Sequence, residues 1–440
     1  MFRISKSASD NGISGAMSDA LAAAASTPLP ASGRPLSGRA VALVHPAWHS
    51  CGTYRVVLGQ IEAYRALGAE VFAVAVATDP GFVPDRAWIW KGFREATPEL
   101  EPHRWFAGAP FSSVLGPRFL KDVLWPYIHG DQAVIRTGLS ERAALPKALA
   151  ARRFDLVHCN HFFLMPVATR LAKGAPILMD SHDIQARQFC IINETLPWLR
   201  PRATYEQMLA QELAQMRKAD LLLHLNAEED AEFRALLPEK AHALLYPATP
   251  EAPTGPGGPD IVLIASNNTA NVDSVLWFLR EVAPLAAGVD VKIVGNVDGA
   301  VRARAPELFE SYKGWFLGRV PDPAAVYAGA KLVLLPTIAG TGLSIKTVEA
   351  LSSGLPILAT PQALRGMGAA ALEIPGVRIA ATAEDFAQAL VDLAGAPTPT
   401  PAERQGSGAR RHFEAHLSQQ AYGRRLAELT APLLASRDNA

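Results

Sequence analysis

LVLLPTIAGTGLSIKTVEALSSGLPILATPQALRGMG, residues 332–368, sets two short apolar runs around a glycine loop and a helical pattern. The first run, 332–335, stops at Pro336, and the loop Gly340-Thr341-Gly342 follows. Ile345, Val348, Ala350 and Leu351 then recur at helical spacing until Gly354 and Pro356 close the segment. A second run, 357–359, ends at Thr360-Pro361. This order of strand, glycine loop, helix and strand is the building unit of parallel α/β sheets. The glycines let backbone approach a ligand, and the helix start offers unpaired N–H groups to an anion. Lys346 falls in the first helical turn and Glu349 one turn later on the same face. An ammonium for phosphate beside a carboxylate for sugar hydroxyls suits a nucleotide-sugar.

The chain has 440 residues, more than one ordinary core accommodates, so two domains are expected. Hydrophobic residues make up 49% and charged residues 19%, which places the chain among folded globular proteins. The formal net charge is 0, so no global field recruits nucleic acid or an anionic membrane, although local basic patches remain open. Cys51, Cys159 and Cys190 have no framework spacing and point to a reducing, cytoplasmic setting. No apolar stretch reaches the ~18 residues of a spanning helix. Residues 1–36, rich in Ser, Ala, Gly and Pro, read as a disordered tail: Asp19 interrupts the one segment that resembles a leader peptide.

Regular alternation begins at residues 41–45 (VALVH), a buried strand, and a loop carries Gly52 and Arg55 into the next helix. That places both residues at the edge where open α/β sheets bind ligands. Residues 79–153 are less regular and rich in aromatics, among them Trp88, Trp90, Phe111 and Trp125, which are expected chiefly in the core, with stacking on an acceptor sugar or contact with a lipid carrier as the alternatives. Alternation resumes at 155–159, and the strand at 176–179 runs into Asp180-Ser181-His182-Asp183 at a carboxyl edge. His158, Cys159 and His161 alternate faces and lack a second ligand pair, so they read as structural rather than zinc-binding. The Pro- and Gly-rich segment 247–259 is the clear internal linker and suits a hinge. A second α/β series follows, with strands at 261–265, 289–294, 331–335 and 357–359. A final helix is expected over 412–434.

The ordered series then resembles a known family. Residues 262–268 (VLIASNN) with Asn271, 291–295 (VKIVG), 318–322 (GRVPD) with Tyr327, and Gly342 to Thr360 match the retaining glycosyltransferases of family 4. The likeness is stronger in the second half than around Gly52 and Ser181-His182-Asp183 in the first. It implies the GT-B fold, two Rossmann-like domains facing across a cleft. Set out along the chain, that gives a tail at 1–36, an acceptor domain at 37–247, a hinge at 248–259 and a donor domain at 260–411. The helix at 412–440 would pack back towards the first domain.

The resemblance further implies a nucleotide-diphosphate-sugar donor, retained anomeric configuration and no obligatory metal or other cofactor. No Asp-x-Asp motif of the kind that holds a divalent ion is present in the sequence. The family's paired glutamates fall on Thr341 and Glu349, so one carboxylate is replaced, while Glu349 takes the ribose role. The arginine and lysine usual after the second domain's first strand are absent from 266–271 (SNNTAN), which makes Lys346 the candidate replacement, assisted by Arg55 or Arg365. His182 matches the histidine near the donor sugar, and Asp183 would orient it or meet the acceptor. Candidate catalytic residues are therefore His182, Asp183 and Lys346. Candidate donor contacts are Gly52, Arg55, Arg319, Gly340, Thr341, Gly342, Leu343, Ser344, Lys346 and Glu349.

The expected activity is hexosyl-type transfer to a glycan, lipid-linked or small-molecule acceptor, in polysaccharide or glycoconjugate biosynthesis. The expected setting is the cytoplasm, with peripheral association at the inner membrane face left open. The alternative is a catalytically weakened GT-B scaffold that binds nucleotide-sugar or glycan.

Overall fold

A computed structural model describes residues 34–438, apart from 50, 80–85, 250, 253–254 and 321–322. Most of the expected tail, together with Pro321 and Asp322, lies outside the described residues. The fold begins slightly before residue 37: Leu36 is buried and its N–H donates to Leu67 O at 3.0 Å.

Two wholly parallel sheets organise the chain. The first contains β1 (Ala40–Pro46), β2 (Glu70–Ala77), β3 (Arg104–Gly108), β4 (Leu156–Asn160), β5 (Ile177–Asp180), β6 (Leu221–His224) and β7 (His242–Leu244). Its strand order is 3-2-1-4-5-6-7. The second contains β8 (Asp260–Ile264), β9 (Lys292–Val294), β10 (Phe316–Gly318), β11 (Ala330–Leu335), β12 (Ile357–Ala359) and β13 (Val377–Ile379), in the order 10-9-8-11-12-13. Both strand orders reverse at the first strand of their sheet, the Rossmann pattern.

Helices cover both faces, which is why the strands read as continuous apolar runs rather than alternating ones. In β1, Ala42 and Val44 enter the core shared with Met165 and Leu171, while Val41 and Leu43 enter the opposite core with Val57 and Tyr64.

Seven helices frame the site: α1 (Gly52–Ala66), α2 (Gln185–Thr195), α3 (Ala227–Leu236), α4 (Thr269–Trp277), α5 (Ile345–Ser353), α6 (Gly408–His416) and α7 (Gln419–Asp438). The single helix expected over 412–434 is in fact two. The break at Leu417-Ser418 is where the chain crosses between domains. Ala409 and Phe413 of α6 pack into the second domain's core, whereas Tyr422, Leu426 and Leu434 of α7 pack into the first domain's. One straight helix could not bury apolar faces in both.

Residues 79–153 hold more order than their pattern suggests. They contain the edge strand β3 and a helix, Gln132–Arg142, capped by Asp131, whose carboxylate accepts from Val134 N at 3.0 Å. The aromatics there divide: Phe93 is buried, but Phe111 and Trp125 are 54% and 60% exposed. The linker is docked rather than free. Ala252 N donates to Ser352 Oγ at 2.9 Å, and a Cβ on Gly258 would meet Gly329 O at 2.2 Å.

Candidate active site

The reversal in strand order opens a crevice beyond the carboxyl ends of β1 and β4 in one sheet and of β8 and β11 in the other. The residues singled out by sequence lie mainly on these two edges.

On the second-domain edge, α5 starts after the glycine loop. Ser344 takes the N-cap position, yet its hydroxyl makes no capping bond and is buried without a partner among the described residues. The first N–H groups of α5 therefore have no side-chain cap. Lys346 in the first turn donates from Nζ to Asn271 Oδ1 at 2.7 Å. Asn271 is fixed in turn, donating from Nδ2 to Ser266 O at 3.1 Å and to Ser266 Oγ at 2.9 Å. The segment that lacks cations thus supplies the acceptor that positions the lysine. Burial and the nearby Arg365 push Lys346 down to about 8. Lys346 is a constrained cation, not a solvated surface lysine.

Arg365 lies along the loop, donating from Nε to Thr341 O at 3.3 Å and from Nη1 to Gln362 O at 3.2 Å. Gly340 makes that possible: its φ is +126°, and a Cβ there would sit 2.8 Å from Arg365 Nη2. Burial also holds the Arg365 guanidinium below its ordinary value, opposed by the charge of Glu228. Glu349 Oε2 accepts from the Tyr327 hydroxyl at 3.4 Å. Burial raises the Glu349 carboxyl, while the Tyr327 hydrogen bond and the charge of Arg55 act against it. Arg55 belongs to α1 of the other domain, so its field reaches the glutamate across the cleft. Thr341 is exposed, and Leu343 packs against the second-domain core. Arg319 is exposed and makes no hydrogen bond or ion pair among the described residues; the structure does not join it to this group.

On the first-domain edge, Gly52 opens α1 with no side-chain cap from Cys51 and open space where a Cβ would lie. His182 follows β5 with φ +61° and is buried. It stacks on His161 with ring centroids 4.2 Å apart. Its Nε2 lies 2.8 Å from Asn160 Oδ1. Asn160 Nδ2 donates to Gln60 Oε1 at 2.9 Å, which fixes Oδ1 as the acceptor end and places the His182 proton on Nε2. Behind this pair, Gln60 Nε2 donates to Asp180, His158 Nε2 lies 3.1 Å from Asp180 Oδ2, and the Tyr64 hydroxyl lies 3.0 Å from His158 Nδ1. Burial pushes His182 down to about 4, so it is neutral at physiological pH. His158 and Cys159 are buried in β4, the histidine within this network.

Asp183, next in sequence, reaches the glycine loop of the second domain: its Oδ1 is 3.8 Å from where a Cβ on Gly342 would be. Burial raises its carboxyl. Two further carboxyls lie in its field. Glu229 is pushed up to about 7 by burial and the charge of Asp183. Glu212 is pushed up to about 8 by burial, although it accepts from Gln185 N and Ala186 N at 3.1 and 2.9 Å. The domains also meet directly. Ala227 N donates to Gly366 O at 2.8 Å, Gly366 N donates to Glu228 Oε1 at 3.0 Å, and the Tyr246 hydroxyl donates to Met367 O at 3.0 Å.

Sequence reasoning overlooked Gln60, Asn160, Glu212, Glu228 and Glu229. The polar Asn160 closing a mostly apolar strand was the one local signal. Gln60, Glu212 and the Glu228-Glu229 pair come from three different helices and carry none.

Two parallel Rossmann-like domains facing across a cleft, each contributing its carboxyl edge, are the GT-B architecture. Residues 258–395 match the family Glycosyl transferases group 1, and residues 52–248 match the Glycosyl transferase 4-like domain. With the fold, these matches place the chain among the GT-B glycosyltransferases.

Solved structures share the fold. HepE of Anabaena, in complex with UDP and glucose, aligns at a TM-score of 0.53 and 13% identity, over 90% of this chain and 100% of that one. A UDP-forming α,α-trehalose-phosphate synthase from Burkholderia vietnamiensis aligns at 0.55 and 14% identity, over 91% and 99%. A glycosyltransferase from Rickettsia africae aligns at 0.53 and 13%, over 90% and 98%. No curated protein sequence matches the chain.

Proposed function

We propose that the protein transfers a sugar from a nucleoside-diphosphate sugar to a hydroxyl acceptor, with the donor on the second domain and the acceptor entering from the first. The observation that carries this reading is the α5 start. Ser344 leaves the helix N–H groups uncapped, and Lys346 and Arg365 stand together there with depressed pKa values. Two partly desolvated cations, one of them lowered further by the other's charge, gain from an anion between them, and a diphosphate supplies that charge.

In this reading Lys346, Arg365 and the α5 N–H groups take the diphosphate, and Glu349 holds ribose hydroxyls. These charges also stabilise the leaving nucleotide as the glycosidic bond breaks. Neutral His182, locked by Asn160, offers a fixed surface to the sugar, and Asp183 meets the donor loop from the acceptor side. Transfer is read as retaining and metal-independent, the leaving diphosphate taking the acceptor proton. HepE, the fold relative solved with UDP and glucose, makes UDP the first nucleotide to test.

A thermal-shift panel of UDP, GDP, ADP and TDP checks the donor site, since a ligand at about 100 times its Kd adds about 2.7 kcal/mol of stability. The expected result is a shift with one base that Lys346→Met abolishes. No shift with any nucleotide would refute the reading. NMR of the product anomer tests retention.

A further inference from the structure

We propose that the protein docks on an anionic lipid surface through a patch on the first domain, built from residues 111–128 and the α2 end with the turn that follows it. Eight of the fourteen exposed large apolar side chains among the described residues lie in these two segments. Phe111, Leu115 and Trp125 are 54%, 57% and 60% exposed on one; Ile191, Leu196 and Leu199 are 52%, 45% and 52% exposed on the other. The segments adjoin. Leu199 N donates to Ile128 O at 2.9 Å, Ala203 N donates to His129 O at 2.8 Å, and Tyr127 packs edge-on against Trp198.

Folding does not need these outward side chains. The inner face of the first segment has its own small core of Val114, Phe119 and Val123 against Ile135 and Leu139. Scattered surface leucines need no explanation, but a contiguous group of this kind marks an interaction surface.

Charge selects the partner. The chain as a whole is neutral, yet Arg118, Lys121 and Arg200 stand exposed among these apolar groups without an ion pair among the described residues. Asp122 and Glu194 are the acids interspersed with them. Apolar and aromatic side chains mixed with cations suit the headgroup boundary of an anionic bilayer. A two-fold contact between copies would instead bring both sets of cations together. No helix among the described residues is long and apolar enough to cross a membrane, so the contact is peripheral.

Position links the patch to the cleft. The first segment follows β3, and α2 follows β5, so both start from the sheet edge that carries His182 and Asp183. Combined with the glycosyl-transfer reading, on which this sentence alone rests, the placement makes the acceptor a hydroxyl presented at the lipid surface.

The test is co-sedimentation of the full chain with vesicles of phosphatidylcholine alone and of phosphatidylcholine mixed with phosphatidylglycerol. Binding is expected on the mixed vesicles, absent on neutral ones and reduced by salt. Arg118→Glu with Lys121→Glu should weaken it about tenfold or more. Trp125→Ser with Leu199→Ser should abolish it. Both pairs should keep the wild-type melting temperature and nucleotide-induced shift, because they lie outside the donor site. Equal binding to neutral vesicles, no binding, or unchanged binding by the variants overturns the proposal. So does sedimentation velocity showing a wild-type dimer that the same variants disperse, which would make the patch a contact between copies. Failure to bind lipid while a nucleotide still shifts the melting temperature would leave glycosyl transfer standing.

Discussion

The two edges of the cleft carry opposite electrostatic problems. On the second-domain edge, burial lowers both Lys346 and Arg365, and the charge of Arg365 lowers Lys346 further. On the first, Asp183, Glu229 and Glu212 are all raised, by burial first, with Asp183 adding its charge against both glutamates. One edge carries two cations held below their ordinary values; the other carries carboxyls held above theirs and a histidine kept neutral. The difference separates the edges by ligand charge, because a negative ligand would relieve the second-domain edge and aggravate the first-domain edge.

The largest expected effect separates the edges by affinity. Lys346→Met should weaken nucleotide binding about a hundredfold, as expected for a lost charge-assisted contact in a partly buried site. His182→Ala should leave nucleotide affinity within about threefold while lowering kcat more than tenfold, since its partners belong to the first domain. Titration calorimetry and steady-state kinetics on the two variants check this. Equal losses of affinity would erase the contrast.

Gly354→Ala comes next. Gly354 ends α5 with φ +68°, and a Cβ there would sit 2.2 Å from Arg404 O. A left-handed alanine costs about 1–2 kcal/mol before the clash is counted, so urea unfolding should show a loss of about 3 kcal/mol. Gly52→Ala, at the start of α1, meets open space and should change stability by less than about 0.5 kcal/mol.

The pH dependence of binding sharpens the comparison further. With Lys346 near 8 in the free protein, nucleotide affinity should be level below that pH. It should fall by up to about tenfold per pH unit above it, where binding must first restore the proton. Lys346→Arg should flatten the profile. His182, near 4, should add no limb at neutral pH.

The last contrast concerns stability against pH. Glu212 and Glu229 have folded values of about 8 and about 7 against an ordinary 4.5, so the native state keeps protons that the unfolded chain releases. Their contribution is full below the ordinary value and is lost as pH rises towards 7 and 8. The melting temperature should therefore decline from pH 5 to 9, each group adding up to about 1.4 kcal/mol per pH unit within its window. Glu212→Gln should reduce that slope.

Much of the second-domain edge was legible because its parts are close in sequence. Gly340, Lys346 and Glu349 fall within ten residues, and helical spacing alone puts the last two on one face. The first-domain edge was legible as Gly52, Arg55 and the motif Asp180-Ser181-His182-Asp183. The bonds that lock His182 join Gln60 on α1, Asn160 on β4 and Asp180 beside them, about a hundred positions apart in the case of the first two. The edge strand β3 escaped notice because five residues among irregular aromatics carry no clear period. The break between α6 and α7 escaped because Phe413, Leu417 and Ala421 continue one helical spacing across it, and only the location of the two cores divides the helices.

By itself the sequence determined two α/β series, the linker between them and a phosphate-suited loop–helix unit. Each of these depends on local backbone preference and apolar periodicity. Tertiary structure alone decided that Asn271 aims Lys346, that Arg365 lies along the glycine loop, and that Asp183 meets that loop from the opposite domain. Those outcomes depend on distance through space and on the desolvation of charges, neither of which a linear pattern encodes.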